Sequence, residues 1–208
     1  MSLTLDDAKR LQECLAGDGV ALIPTDTVYG LACNPESEIA LRRVYELKRR
    51  APIKPAAVMF FSLESALESL SGLGPRTRRA LGDLLPGPVT LLLPNPERRF
   101  LLACDPGHTN SSLLGVRVPK LDGSLAALST VGLPAAQSSA NLSGGSDPRR
   151  LQDVPVELRA GADIVLDGGE LPGTASTVID LSSYELTGVW QVVREGPLQR
   201  STLERLLT

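Results

Sequence analysis

The chain has 208 residues, 42% hydrophobic and 22% charged, an ordinary composition for a folded domain, and its 19 glycines and 16 prolines imply many tight loops. Its 21 Lys and Arg against 24 Asp and Glu give a net charge of −3, which argues against a globally basic nucleic-acid binder. No apolar window approaches the ~20 residues that span a bilayer, and the N-terminal MSLTLDDAKR lacks the basic flank and apolar stretch of a signal peptide, so we expect one cytoplasmic domain over residues 1–208 with no membrane anchor.

The spacing predicts a first helix in LDDAKRLQECLAGDG, with Asp6 and Asp7 at its positive end, Ala8, Leu11 and Leu15 on one face, and Gly17 or Gly19 ending it. VALIP follows as a short buried strand. It runs into IPTDTVYGLAC, Ile23 to Cys33, a knot of hydroxyl and carboxylate side chains between apolar residues. ESEIALRRVYELKRR reads as a second helix, with Leu41, Val44 and Leu47 near helical spacing and its cations gathered in the last turn, where the helix dipole favours them. AAVMFF is a second buried strand, followed by short helices at Leu63 to Leu70 and Pro75 to Leu84 and by the turn and strand of PGPVTLLLP. LGVRVP, PAAQSSA, ADIVLD, STVIDLS and VWQVV continue as strands, interleaved with helical patterns near Asp122 to Leu128 and Leu151 to Ala160. The closing STLERLLT has Ser201 as a cap and Glu204 in the capping-box position. Strands alternating with helices and lacking strict apolar–polar alternation indicate an α/β protein with a sheet covered on both faces.

Cys14, Cys33 and Cys104 are odd in number and outside any CxxC spacing, so they read as buried free thiols rather than a disulfide framework or a zinc site. The single histidine, His108, lies in the turn-like DPGHTNSS and reads as a loop residue. Six cations stand between Arg42 and Lys54 against one acid, Glu46; such a run is usually a solvated helix end.

Polar clusters follow several of the apolar strands: TDTVYG, SSANLSGG, DGGELPGTAST and REGPL. Each alone is a turn. Together they suggest one composite pocket, because ligands of open α/β sheets bind where strand ends open into loops. Neither GxxxxGK[ST] nor GxGxxG after a strand is present, which disfavours a P-loop ATPase or a dinucleotide enzyme. The remaining anion-binding set is Lys48, Arg50 and Lys54 with the hydroxyl, amide and backbone donors of SSANLSGG. Lys48 and Arg50 converge only if the helix frays there, as the two prolines of APIKP suggest.

The ordered motifs PTDTVYGLAC, YELKRRAPIKP, LLPGPVTLLLP, GVRVP, SSANLSG, and STVIDLS followed by VVREGPL resemble the threonylcarbamoyl-adenylate synthases, the YrdC-like family, from about Val20 to Leu198. The resemblance implies a twisted mixed sheet flanked by helices around a concave basic cavity. It implies an enzyme that joins L-threonine, bicarbonate or CO2, and ATP into threonylcarbamoyl-adenylate and pyrophosphate, for tRNA threonylcarbamoyladenosine made by partner transferase proteins. Longer relatives add a C-terminal domain for which 208 residues leave no room. Carried over by position, Lys48, Arg50, Ser139, Asn141 and Arg194 form the ATP-binding set, and Thr25, Arg117 and Ser176 the L-threonine-binding set. In this reading Thr25 touches substrate, while Asp26 and Thr27 shape the loop. No side chain is assigned a catalytic role beyond positioning and charge from Lys48 and Arg50, which fits a phosphoryl-type transfer aided by Mg2+, with no protein metal ligand assigned. A guanidinium suits a carboxylate, so Arg117 on an apolar strand fits the threonine end in preference to a structural ion pair.

The chain departs from the pattern at Met59, where relatives often have histidine in KPLxVH, at Ala51 in place of proline, and at Leu113 in place of threonine. Two other readings compete: a nonenzymatic module for double-stranded RNA or tRNA using a concave basic surface, and an enzyme acting on carbamoyl phosphate. The acidic balance and 3% aromatic content weigh against the first. Chain length weighs against the second.

Overall fold

The first helix, α1 (Leu5–Ala16), forms where the periodicity places it. In this computed structural model, which describes residues 2–49, 55–106 and 113–207, Thr4 caps the helix by accepting the Asp7 amide at 3.2 Å. Asp7 in turn accepts the Thr4 amide at 2.9 Å. Arg50, Lys54 and His108 lie outside the described residues.

β1 (Val20–Ile23) is the expected strand, and β2 (Gly30–Cys33) returns antiparallel to it with Ile23 opposite Gly30. The polar knot is therefore a hairpin loop. GLAC had not been read as a strand, because four apolar residues carry too little pattern to separate strand from loop. α2 (Glu38–Leu47), capped by Ser37, stops earlier than expected: Lys48 is its C-cap residue and Arg49 takes a φ of 49°. Lys48 and Arg49 thus follow the helix instead of occupying its last turn.

β3 (Ala57–Met59), α3 (Leu63–Ser69), α4 (Pro75–Leu84) and β4 (Val89–Pro94) agree with expectation, while the short α5 (Leu101–Cys104) precedes β5 (Leu113–Arg117) without having been anticipated. The helical pattern near Asp122 becomes a 3₁₀ helix over Gly123–Thr130, followed by β6 (Ala135–Ser139). Pro155 splits the pattern over Leu151 to Ala160 into a 3₁₀ turn, Leu151–Asp153, and α6 (Val156–Gly161). β7 (Ile164–Val165), β8 (Thr177–Asp180), the unanticipated α7 (Tyr184–Thr187), and β9 (Gln191–Arg194) complete the sheet. The last helix, α8 (Arg200–Leu206), begins at Gln199 with no side-chain cap, so the Ser201 capping box is not formed; Glu204 accepts from Arg200 Nε at 3.1 Å instead.

Among the described residues nine strands form one mixed sheet in the order β7-β1-β2-β6-β3-β5-β4-β8-β9. One face is dry: Leu22, Leu31, Val58, Val116, Leu91 and Ile179 pack with apolar residues of α2, α3, α4 and α8. Each such leucine contributes about 1.5–3 kcal/mol by leaving water. The other face is only partly covered, and here the two-faced expectation is corrected. Ala21, Ile23, Ala32, Met59 and Ala135 pack under α1 and the 3₁₀ helix through Leu11, Leu15 and Leu128. Farther along the sheet, that layer ends.

Candidate active site

Where the layer ends, the bare sheet is the floor of a cavity of about 360 Å3. Strand register explains its composition. On the exposed parity, Leu92 pairs with Gly115, Ala57 with Gln137, Thr90 with Val178, and Val178 with Arg194. Small side chains at Ala57 and Gly115 keep the floor low, and Arg117, Ser139, Ser176 and Arg194 stand in the wall. Gln137 lies across β2 because Gly30 has no side chain: a Cβ there would fall 2.2 Å from Gln137 Nε2.

The hairpin loop serves one guanidinium. Arg117, 3% exposed, donates from Nη2 to Asp26 Oδ1 at 2.6 Å, to Thr25 Oγ1 at 3.1 Å and to Thr27 Oγ1, and from Nη1 to Gln137 Oε1 at 3.4 Å. Asp26 Oδ2 also accepts the Lys120 amide at 3.0 Å. The structural ion pair that had been set aside for Arg117 is therefore present, buried on both sides. It does not exhaust the residue, since Arg117 lines the cavity and its Nε is buried without a hydrogen-bond partner. Thr25 is corrected in the opposite sense. It is 0% exposed and does not line the cavity, and its hydroxyl donates to Val28 O at 2.7 Å. Thr25 shapes the loop, and Val28 takes its place in the wall.

Lys48 departs furthest from its expected position at an exposed helix end. It is 2% exposed and lies behind the cavity wall, where Nζ donates to Ser139 O, to Asn141 O at 2.8 Å and to Asn141 Oδ1 at 3.0 Å. An ammonium has three protons, and three oxygens of the S-x-N loop receive them. The Lys48 carbonyl also accepts the Ser143 amide at 3.1 Å. Inside the loop, Ser139 Oγ donates to Asn141 Oδ1 at 2.8 Å, and Asn141 Nδ2 reaches Asp147 Oδ1 at 3.4 Å. Lys48 thus sets the shape of a segment that itself meets the cavity through Ser138 and Ser139.

At the far wall Ser176 Oγ lies 2.8 Å from Thr90 Oγ1, and Arg194 lies against Ser176, donating from Nε and Nη2 to its carbonyl at 3.1 and 2.8 Å. Desolvation lowers the proton affinity of the Arg194 guanidinium, Asp147 partly restores it, and the Arg117 charge lowers it further. Arg194 thus feels the positive charge of Arg117, and both residues line one hollow.

Three of the four polar clusters meet as expected, through Val28, Ser139 and Ser176, and Arg194 brings the fourth; Arg50 lies outside the described residues. The reading missed Thr90, Gln137 and Gly115, of which Gln137 had a legible signal, a polar side chain in the middle of an apolar strand. Met59 faces the covered part of the sheet in the core, so the departure from histidine falls beside Arg117 in register but outside the cavity wall. Cys33 and Cys104 are buried as expected and Cys14 is partly exposed; burial is the main cause that raises all three thiols, Cys33 to about 12.

The mixed sheet flanked by helices, with a ligand-sized hollow lined by Arg117 and Arg194, defines an α/β protein with a candidate binding site on its sheet. Residues 13–196 match the family model Sua5_yciO_yrdC, described as "Telomere recombination", and the chain belongs to that family. It is 34% identical over 189 residues to a mouse threonylcarbamoyl-AMP synthase, covering 88% of this chain and 64% of the relative. A threonylcarbamoyl-AMP synthase of Chromohalobacter salexigens is 34% identical over 165 residues, covering 78% of this chain and 85% of that protein. Among solved structures, Pyrococcus abyssi Sua5 complexed with L-threonine superposes with a TM-score of 0.82 at 28% identity, over 99% of this chain and 58% of the other. The chain thus spans less than two thirds of the mouse protein and of the P. abyssi chain.

Proposed function

We propose that the protein is an L-threonylcarbamoyladenylate synthase, making threonylcarbamoyl-AMP and pyrophosphate from L-threonine, bicarbonate or CO2, and ATP. The observation that carries this reading is the convergence of Arg117, Ser139, Ser176 and Arg194 on one cavity whose floor is small and apolar. Family membership and relatives named as threonylcarbamoyl-AMP synthases support it. The product would pass, in the cytoplasm, to threonylcarbamoyl-transferase proteins that modify tRNA.

The threonine nitrogen attacks CO2 and loses a proton, giving a carbamate. A carbamate oxygen then attacks the α-phosphorus of ATP, a new P–O bond forms, and the bond to pyrophosphate breaks. No protein nucleophile enters, so the protein acts by holding the reactants together and stabilising charge on phosphate oxygens. Arg117 and Ser176 receive the amino acid, with Thr25 and Asp26 holding the Arg117 guanidinium in place. Ser139, Asn141 and Arg194 receive the nucleotide, with Lys48 behind the Ser139–Asn141 loop, and Arg50 is assigned to the same ligand by its motif alone. Mg2+, when bound with the nucleotide, would offset charge on its phosphates. Among the described residues no group of three or more His, Cys, Asp or Glu could hold a metal. The ion would enter with ATP, and no protein ligand is assigned to it.

A basic RNA-binding face is not favoured. Arg42 pairs with Glu38 at 2.7 Å, Arg43 with Asp163 at 2.8 Å and Arg49 with Glu157 at 4.0 Å, and Lys48 is buried.

The deciding experiment is pyrophosphate release from ATP and bicarbonate across a panel of amino acids. Release that depends on L-threonine is expected; release indifferent to the amino acid, or none with threonine, overturns the reading. The floor offers a second test. The atoms nearest to a Cβ on Gly115 would be Ala57 Cα at 3.5 Å and Ala57 Cβ and Leu92 Cδ2 at 3.6 Å, which are ordinary contacts. Gly115→Ala should therefore fold and bind as wild type does, whereas Gly115→Leu should fill the hollow and weaken substrate binding by at least about tenfold in calorimetry.

A further inference from the structure

Tyr29 touches three segments that build the cavity, and the chemistry proposed above makes no use of it. The residue is 0% exposed. Its backbone joins the neighbourhood of the S-x-N loop on two sides: the amide donates to Pro148 O at 3.0 Å, and the carbonyl accepts the Ala140 amide at 2.8 Å. Its hydroxyl meets a different segment, lying 2.9 Å from Asp167 Oδ1 and 2.8 Å from Gly169 O as donor and accepting the Gly168 amide at 3.1 Å. Asp167 Oδ1 also accepts the Gly169 amide at 2.9 Å, closing a tight turn around the phenol oxygen. Farther along the same segment Gly173 donates to Thr27 O at 2.9 Å, and the chain then enters the cavity wall at Ala175 and Ser176.

We infer that Tyr29 is a positioning residue: its hydroxyl fastens residues 167–176 against the TDTVYG loop and thereby fixes where Ser176 stands in the cavity. Arg194 inherits that placement, because its guanidinium rests on the Ser176 carbonyl. A phenylalanine would fill the same volume, so packing does not call for the oxygen. What the oxygen supplies is a partner for the Gly168 N–H and a donor to the turn, groups that a buried site cannot leave unmade without cost. Burial and the neighbouring Asp167 raise the phenol's pKa, so the donor keeps its proton at any working pH.

The test compares wild type with Tyr29→Phe, and with Asp167→Asn as a milder variant that keeps the hydroxyl and its Gly169 acceptor. Hydrogen exchange at the amides of Gly168, Gly169 and Gly173 should accelerate by about tenfold in Tyr29→Phe, with α1 and β1 unchanged. Unaltered protection there overturns the inference. The kinetic arm rests on the synthase reading: the KM for L-threonine should rise about tenfold while kcat at saturation stays within about twofold, and Asp167→Asn should shift it in the same direction. A variant that had merely lost folded protein would instead lower kcat at constant KM, and that result also overturns the inference. Absence of threonine-dependent pyrophosphate release in wild type would defeat the synthase reading alone, leaving the exchange measurement to decide the role of Tyr29.

Discussion

Arg117→Ala is expected to lower the unfolding free energy by about 3–5 kcal/mol in a urea titration, because it strands the Asp26 carboxylate in a buried site. Both partners are nearly inaccessible, and Asp26 keeps only the Lys120 amide at 3.0 Å once the guanidinium is gone. Thr25 and Thr27 also lose the cation around which their hydroxyls are arranged. Measured well below the melting temperature, the variant should raise the apparent KM for threonine far more than that for ATP. Equal changes in both would leave Arg117 a purely structural residue. The ion pair and the ligand role need not exclude each other: one terminal nitrogen of the guanidinium holds the loop, while Nε has no partner and the residue lines the hollow.

Lys48→Ala is the second large effect. It leaves Ser139 O, Asn141 O and Asn141 Oδ1 without the ammonium that joins them, although Asn141 Oδ1 keeps the Ser139 hydroxyl, at about 1–3 kcal/mol for any acceptor left unsatisfied. ATP-dependent synthesis should fall by at least about a hundredfold as the loop relaxes. The route of that loss can be read by a double-mutant cycle with Ser139→Ala and Asn141→Ala. If Lys48 acts through the loop, its removal from the Ser139→Ala/Asn141→Ala double variant adds little. Multiplying effects would instead mean that the ammonium leaves the loop to contact the nucleotide.

The legible parts of the fold were those with period and punctuation. α1 had three apolar residues on one face and acidic residues at its start, and α4 began at a proline and ran as expected to Leu84. GLAC was not legible, because its pairing with β1 and β6 is a tertiary fact that four residues cannot announce. The same limit applied to the site. Polar clusters at strand ends told which loops would meet, but not which side chains would turn inward. Lys48 and Thr25 look like ligand residues in a motif, yet both spend their hydrogen bonds on the protein, one on the S-x-N loop and one on the hairpin. Gln137 and Thr90 look like strand residues, and the uncovered part of the sheet makes them part of the wall.

The location of Arg194 has a consequence for biogenesis. It sits on β9, an edge strand that among the described residues pairs with β8, while the loop that answers it across the hollow lies near residue 28. A nascent chain emerging from the ribosome can pair β1 with β2 early, but it cannot present both walls until β9 has been translated and has docked. Affinity for substrates should therefore switch on abruptly once β9 docks, and products truncated before β9 should be blind to them.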